Sequence, residues 1–253
     1  MLKGIVLTLA AGAVGAFMAL ASPATFGQTV DEIIAKNVQA RGGMERLKAA
    51  KTVRMTGKMT VGPGLEAPVV LEQRRPNSVR IEFTIQGMTA VMAYDGKLGW
   101  MLMPFGGKKD PEPMGEDDLR EAQEQSDIDG EFVDYKEKGN KVEYVGKEPV
   151  EGTDAYKLKV TLKTGTVEYF YLDADSYLII KEESKRTVRG VERESETTLG
   201  DYKKVEGLIF PYSIETGAKG QPQKQKITVE KIEINPVIDE SRFKMPEAKK
   251  TDK

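Results

Sequence analysis

The sequence contains no cysteine and no histidine among its 253 residues. The absence of cysteine excludes disulfides, a thiol nucleophile and a lipid-attachment cysteine, and the absence of histidine removes the usual general base and a common metal ligand. No nucleophile elbow, phosphate-binding loop or dinucleotide-binding glycine pattern is present. We therefore predict no catalytic residue, no cofactor and no metal. A hydrolase that uses only carboxylates stays open, although no pair stands out.

The chain has no excess of either charge. Its 38 basic and 40 acidic residues give a net charge of -2, and the two signs are interspersed rather than segregated. Proteins that bind nucleic acid carry a concentrated basic surface, which this composition does not predict. We therefore expect a globular protein without a nucleic-acid partner.

A long hydrophobic run occurs only at the start. Lys3 precedes an apolar stretch over 4–21, and small residues follow it. This order is typical of a cleavable secretory signal, with cuts after Ala21, Ala24 or Gly27 all possible, and we assign residues 1–27 to it. The alternative is an uncleaved membrane anchor, because about 18 apolar residues can just span a bilayer.

Two stretches have the features of helices. Thr29 and Glu32 form a capping box, and apolar residues recur at helical spacing from Val30 to Val38, which predicts an amphipathic helix over 30–40. Gly42 and Gly43 interrupt it, and 44–50 predicts another turn or two. In the long segment 104–130, three acidic residues at 116–118 precede Leu119 and Ala122, which predicts a short helix over 116–125.

Strand patterns occupy most of the chain after Val53. Apolar and polar residues alternate over 156–163, Thr164-Gly165 makes a tight turn, and a second strand follows over 166–172. Asp95-Gly96 joins two more strands, 88–94 and 98–103. We predict a mainly β protein with covering helices, built from about 10–11 antiparallel strands.

Methionine is concentrated on the early strands, at Met55, Met59, Met88, Met92, Met101 and Met103. Methionine is flexible and polarizable, so a surface built from it adapts to irregular apolar partners such as acyl chains. The alternative is that these side chains fill the core beneath a helix. The acidic stretch 125–130 matches part of a calcium loop, but an acidic surface turn is favoured because the first and last ligands are missing.

Several stretches resemble the periplasmic lipoprotein carrier LolA and the wider outer-membrane lipoprotein-sorting family. They are RRPNSVRIEF (74–83), TAVMAYDGKLGWMLMPF (89–105), the strands over 144–183, DYKKVEGLIFPYSIE (201–215) and IDESRFKMP (238–246). The chain departs from the carrier at Val79, where the carrier has phenylalanine. The resemblance implies an incomplete antiparallel β-barrel, a half-barrel, whose apolar cavity receives acyl chains of a lipid or lipoprotein beneath a helical lid.

The resemblance also implies roles for particular residues. Arg75 matches the arginine that latches the lid by hydrogen bonds to helix backbone, with Arg74 pointing outward. We predict that large apolar side chains line the cavity: Phe83, Ile85, Met88, Met92, Trp100, Met101 and Met103. We predict that the lid residues are Ile33, Ile34, Val38 and Leu119.

The expected protein is a monomeric periplasmic carrier for outer-membrane lipoprotein sorting or lipid transport. It has a single domain over 28–246 and a disordered tail over 247–253. Its partners are acyl chains and transport proteins of the inner and outer membranes, as the resemblance implies. The alternative with the same fold is an envelope sensor or interaction module without catalysis.

Overall fold

The computed structural model describes residues 28–62, 64–105, 107 and 110–247. The predicted signal segment, 1–27, and residues 248–253 of the predicted tail lie outside them. Among the described residues, no helix is both long and apolar enough to cross a membrane. The helices are α1 (Val30–Ala40), α2 (Met44–Ala49), α3 (Glu116–Gln125) and a short 3₁₀ helix (Glu240–Phe243).

Fifteen strands make up most of the described residues. They are β1 (Thr52–Gly62), β2 (Leu65–Arg74), β3 (Ser78–Ile85), β4 (Met88–Tyr94), β5 (Gly99–Leu102), β6 (Glu112–Pro113), β7 (Lys141–Val150), β8 (Thr153–Thr161), β9 (Val167–Asp173), β10 (Ile179–Val188), β11 (Val191–Gly200), β12 (Lys203–Val205), β13 (Leu208–Phe210), β14 (Ser213–Ala218) and β15 (Gln225–Ile234). Thirteen of them form one antiparallel sheet in the order β6-β5-β4-β3-β2-β1-β15-β14-β11-β10-β9-β8-β7, and β12 pairs with β13.

The predicted count of about 10–11 strands was too low. The missed strands have weak sequence patterns, because β6 has two residues and β12 and β13 have three each. β7 lies at the edge of the sheet and most of its side chains are exposed, so its sequence lacks the alternation of apolar and polar residues that predicts a strand.

The two predicted longer helices are confirmed with the predicted bounds. At the start of α1, the Thr29 hydroxyl accepts from the Glu32 amide (3.3 Å) and the Glu32 carboxylate accepts from the Thr29 amide (2.8 Å). This is the predicted capping box, which satisfies two otherwise unpaired amides. The hairpins around Asp95-Gly96 and Thr164-Gly165 are also present.

One face of the sheet, the inner face, carries all the helices α1 to α3. Cross-strand partners point to the same side, so the face can be followed from strand to strand. Met101 pairs with Met92, Met92 with Ile81 and Ile81 with Leu71. Leu71 pairs with Met55 and Met55 with Ile232; on the same face, Met59 pairs with Ile227, Ile227 with Ile214 and Ile214 with Leu199. Thr197, two residues from Leu199, continues the face to Glu182, Phe170 and Leu158.

The sheet curves around α3. On one side α3 packs on Val79 and Tyr94 of β3 and β4. On the other, Glu121 pairs with Arg186 of β10 (3.1 Å) and Glu124 accepts a hydrogen bond from Thr166, just before β9 (2.7 Å). β3 and β10 are six strand spacings apart, about 29 Å at ~4.8 Å each, whereas a helix is only about 10–12 Å wide. A flat sheet could not touch one helix at both places.

The turn between α1 and α2 packs closely on the β12–β13 hairpin. Gly42 has a φ of +121°, and a Cβ there would lie 2.4 Å from the carbonyl oxygen of Gly207. The Ile209 amide donates to the carbonyl oxygen of Arg41 (3.0 Å). Only glycine allows this approach, which fixes α2 beside the inner face.

The opposite, outer face is covered by the C-terminal segment. The Trp100 indole Nε1 donates to the carbonyl oxygen of Phe243 (2.8 Å), and Arg80 Nη1 donates to that of Arg242 (2.7 Å). Glu72 is 1% exposed and accepts from both Arg54 (2.8 Å) and Arg242 (2.7 Å). These paired charges hold the C-terminal segment on the outer face of β1–β5.

Candidate functional site

An apolar surface lies on the inner face of β3, β4 and β5, and we name it the apolar zone. Its residues are the inner-facing apolar side chains of these strands: Ile81, Phe83, Ile85, Met88, Met92 and Met101. Five of them are half-buried and Met88 is 40% exposed. Large apolar side chains in a filled core are usually fully buried, so this surface is not simply core.

The zone brings together five of the seven predicted lining residues, and Trp100 is not among them. Trp100 is adjacent to Met101 in β5, so the strand directs it to the other face. There it is 2% exposed, packed with Val91 and Ala93 beneath the C-terminal segment. The prediction that Trp100 lines the cavity was therefore wrong. Met103 follows the end of β5 and is half-buried.

α3 covers only one end of the apolar zone. Leu119 and Ala122 pack on Val79 and Tyr94, and a Cβ on Gly99 would lie 2.8 Å from Leu119 Cδ1. A cavity of about 90 Å³ remains between the helix and the strands, and its lining includes Ile81, Met92, Met114 and Ala122. At the other end of the zone, Phe83 stacks on Phe105 with ring centroids 5.9 Å apart. Sites for drug-sized ligands are typically about 300–1,000 Å³, so the space beneath α3 is too small for such a ligand.

The predicted lid residues lie in two different places. Leu119 belongs to α3 and faces β3 and β4. Ile33, Ile34 and Val38 of α1 are buried instead against β8 and β9, with Leu158, Val160, Phe170 and Leu172. α1 therefore covers the opposite end of the curved sheet, and α3 is the helix over the apolar zone.

The side chain of Arg75 joins α2 to the segment that follows α3. Its Nε donates to the carbonyl oxygen of Ala50 (2.8 Å) and its Nη2 to that of Leu47 (3.0 Å), at the C-terminal end of α2. Nη1 and Nη2 also donate to the two carboxylate oxygens of Asp129 (2.7 and 2.5 Å). A guanidinium suits this position because it stays charged and offers several fixed donors.

Asp129 was assigned by sequence to an acidic surface turn, and that interpretation was wrong. Its side chain is 4% exposed and accepts from Lys48 (3.1 Å) as well as from Arg75. Burial alone would raise the pKa of Asp129, but the hydrogen bonds from Arg75 and Lys48 outweigh it and hold the pKa at about 2. The segment after α3 is thus tied to α2 by a carboxylate that is ionised at neutral pH.

Arg74 has a different environment from Arg75. It is an outer-face residue at the end of β2, and its Nη1 lies 3.2 Å from a carboxylate oxygen of Glu240, which is 62% exposed. Its neighbour Gln73 faces inward and donates to the carbonyl oxygen of Gln125 at the end of α3 (2.7 Å). The adjacent arginines therefore contact opposite sides of the sheet.

The sequence interpretation missed the buried carboxyl of Glu168 and the half-buried carboxyl of Glu182 on the inner face. Glu168 of β9 is 5% exposed and lies on the same face as Phe170 and Leu172. Glu182 of β10 pairs with Phe170, so it points the same way. The signal was available in the sequence, since Glu168 stands in phase with the apolar residues of its strand.

The protonation of these carboxyls is shifted. Burial, with the charge of Glu131 as the next cause, raises the pKa of Glu168 to about 9 and that of Glu182 to about 7. Burial also raises the pKa of Glu131. With these pKa values, Glu168 keeps its proton at neutral pH and Glu182 is about half protonated, unless a cation stabilises the charged forms.

Comparison with known proteins gives similarity at the level of structure. No protein-family model and no curated protein sequence matches the chain. A DUF1329 family protein from Desulfovibrio piger superposes with a TM-score of 0.60 at 12% identity, covering 86% of this chain and 98% of that one. A LolA superfamily protein from Nitrosomonas europaea gives 0.57 at 12% identity, covering 86% and 99%.

A third structure comes from Vibrio parahaemolyticus, a domain assigned to outer membrane lipoprotein sorting. It gives a TM-score of 0.55 at 11% identity, covering 84% of this chain and 95% of that one. The chain has a LolA-like fold. At such low identity the likeness establishes the fold alone and assigns no role to any residue.

Proposed function

We propose that the protein is a periplasmic carrier that binds the acyl chains of a lipid or lipoprotein in the hollow of an open half-barrel. It would work as a single domain over 28–246, without catalysis or cofactor. The observation that carries the proposal is the apolar zone, a continuous apolar surface on the inside of a curved sheet that α3 covers at one end only. The LolA-like fold supports the same function by analogy.

Acyl-chain binding requires α3 to move. The cavity beneath the helix, about 90 Å³, is too small for a long chain, whereas the apolar zone with α3 displaced is several side chains wide. Burial of the ligand contributes about 0.8 kcal/mol per CH₂. The affinity is this gain less the free energy of moving α3, since a ligand shifts an equilibrium only by its preference for one state.

Arg75 would act as the latch of this movement. Its guanidinium bonds α2 and the segment after α3 at the same time, so displacement of α3 strains or breaks the ion pair with Asp129. α2 packs on the β12–β13 hairpin and the buried core, and provides the fixed side of the latch. In the carrier cycle, partner proteins of the inner and outer membranes would act on this closed state.

The experiment is a titration with an uncharged fluorescent fatty acyl ester. We expect saturable binding by the wild-type protein and at least about tenfold weaker binding by Met88→Asp, because a carboxylate beside the acyl chain loses its hydration. Val191→Asp is the matched control, since Val191 is an exposed apolar residue of the β10–β11 hairpin. Absence of probe binding, or equal weakening by both variants, would contradict the proposal and favour an interaction module of the same fold.

A further inference from the structure

The inner face has a polar region that acyl-chain binding does not explain. Glu168 and Glu182 project from neighbouring strands, β9 and β10, on the inner side of the sheet. Glu131, in the segment after α3, is close enough for its charge to act on both. We name these three residues the carboxyl cluster.

The strand register places Glu168 and Glu182 diagonally across β9 and β10. Glu168 is opposite Ser184, and Glu182 is opposite Phe170. Diagonal neighbours on one face lie about 7–8 Å apart at Cα, within joint reach of one small group between their carboxyls. The surface around them continues with hydroxyl residues, because Thr197 is opposite Glu182 and Ser195 is opposite Ser184.

One oxygen of the cluster lacks a partner. Oε2 of Glu168 is buried and has no hydrogen-bond partner in the described part of the chain, and the residue is 5% exposed. Buried polar atoms are normally hydrogen-bonded, because an unpaired one costs about 1–3 kcal/mol. A donor that reached this atom would therefore be strongly stabilising.

The positive groups nearby have other partners. Arg186 on β10 lies 3.1 Å from Glu121 and 4.0 Å from Glu124, and its Nη2 donates to Ser184 (3.3 Å). Arg41 after α1 donates to the carbonyl oxygen of Asp129 (3.0 Å).

The remaining polar groups that face the cluster also pair elsewhere. Lys138 is paired with Asp127. Tyr202 donates to the carbonyl oxygen of Ile179, and both threonines before β9, Thr164 and Thr166, donate to Glu124. The charges of Arg186, Arg41 and Lys138 thus act on the cluster from a distance, and among the described residues none of the three forms an ion pair with it.

An organic cation fits these acceptors better than a metal ion. No group of three or more carboxylates among the described residues is arranged to hold a metal. A primary ammonium group is a compact charge with three donors, so it can be shared by carboxyl oxygens that project from two neighbouring strands. A phosphate or carboxylate head group would find few free cationic donors there, and its charge would repel any carboxyl that ionises.

We propose that the carboxyl cluster binds the ammonium head group of an amphiphile whose alkyl chain lies in the apolar zone. The inference rests on the proposed function and adds the chemical class of the ligand. α3 contacts both regions, so they are separated by about one helix diameter, ~10–12 Å, which a long alkyl chain spans. Binding would ionise the carboxyls and release protons to the solvent.

The test compares three ligands of equal chain length: dodecylamine, dodecanol and dodecanoate. Each ligand, at a concentration below that at which it forms micelles, is used to displace the uncharged acyl ester from the wild-type protein at pH 7. We expect dodecylamine to bind at least about tenfold more tightly than either of the others, which corresponds to about 1.4 kcal/mol. Calorimetry in buffers of different ionisation enthalpy should detect proton release with dodecylamine only.

The variant is Glu168→Gln with Glu182→Gln, and Glu192→Gln is the control on the exposed end of β11. The double variant should reduce the preference for dodecylamine to about twofold or less, and the control should keep it. Equal affinities, a preference for dodecanoate, or a preference that survives in the double variant would overturn the ammonium site and leave the carrier function standing. Failure of all three ligands to bind the wild-type protein would overturn both.

Discussion

Two regions of the same sheet face have opposite chemistry. The apolar zone on β3–β5 carries half-exposed methionine and phenylalanine, whereas the inner face of β9 and β10 carries buried glutamate. Exposed apolar surface and buried polar groups are both departures from an ordinary core, and both require a reason. Because α3 touches both regions, their difference is what the proposed ligand, with two unlike ends, would match.

The largest expected effect comes from the residue that joins the helices between these regions. Arg75→Leu should lower the free energy of unfolding by about 2–4 kcal/mol, because it leaves the buried carboxylate of Asp129 with Lys48 alone and removes two donors from the end of α2. Urea unfolding measures this change. Bound acyl probe should also dissociate faster, since α3 is released.

Arg74→Leu is the matched control for Arg75→Leu. Arg74 has one ion pair with an exposed glutamate, which contributes about 0.5 kcal/mol or less. If both arginine variants had the same stability and the same probe retention as wild type, Arg75 would not be a latch.

The protein should become more stable when one carboxyl of the carboxyl cluster is replaced. Because the pKa of Glu168 is raised to about 9 in the folded state, its contribution to stability is present below about pH 4.5 and is lost as the pH rises toward 9. Glu168→Gln should therefore stabilise the protein by about 1–3 kcal/mol at pH 8 and have no effect at pH 4. Thermal unfolding across this range gives the result, and a pH-independent difference would show that folding does not raise the pKa of Glu168.

The ion pair of Asp129 should show the opposite pH dependence. Its folded pKa is lowered to about 2, so its contribution is present above about pH 4 and is lost as the pH falls through 2. Asp129→Asn should lower stability by about 1–2 kcal/mol at pH 7 and by less than about 0.5 kcal/mol at pH 2. Asp134→Asn is the control, because Asp134 binds the same lysine but is 44% exposed. An equal effect of both variants on stability would show that Asp129 does not contribute to the latch.

The smallest effect concerns the outer face. Trp100→Phe should lower stability by about 1–2 kcal/mol, because the carbonyl oxygen of Phe243 loses the indole donor and volume is lost beneath the C-terminal segment. Affinity for the acyl probe should not change. A loss of affinity for the acyl probe at unchanged stability would show that Trp100 takes part in binding.

Features set by neighbouring residues could be predicted from sequence. The bounds of α1 and α3 follow from capping and acidic first turns, and the hairpins from Asp95-Gly96 and Thr164-Gly165, because each signal acts within a few residues. The strands were undercounted where they are short or exposed on both faces, as in β6, β7 and the β12–β13 pair, since neither case leaves a clear alternation.

Features set by distant residues could not be predicted. Asp129 is buried only because Arg75, 54 residues away, reaches it, and no local pattern reports such a contact. Trp100 was assigned to the cavity because methionines surround it in the sequence. Adjacent residues of a strand face opposite sides of the sheet, and because Met101 faces inward, Trp100 faces outward. The position of α1 over β8 and β9 depends on the curvature of the whole sheet.

The most direct measurement is photocrosslinking with a fatty acyl ester that carries a diazirine near the end of its chain, followed by mass spectrometry of the labelled peptides. We predict labelling at residues of the apolar zone, Phe83, Met92 and Met101 above all, and none at their outer-face neighbours Val91 and Trp100. Labelling on the outer face, or labelling spread without preference over the chain, would contradict acyl binding inside the curved sheet.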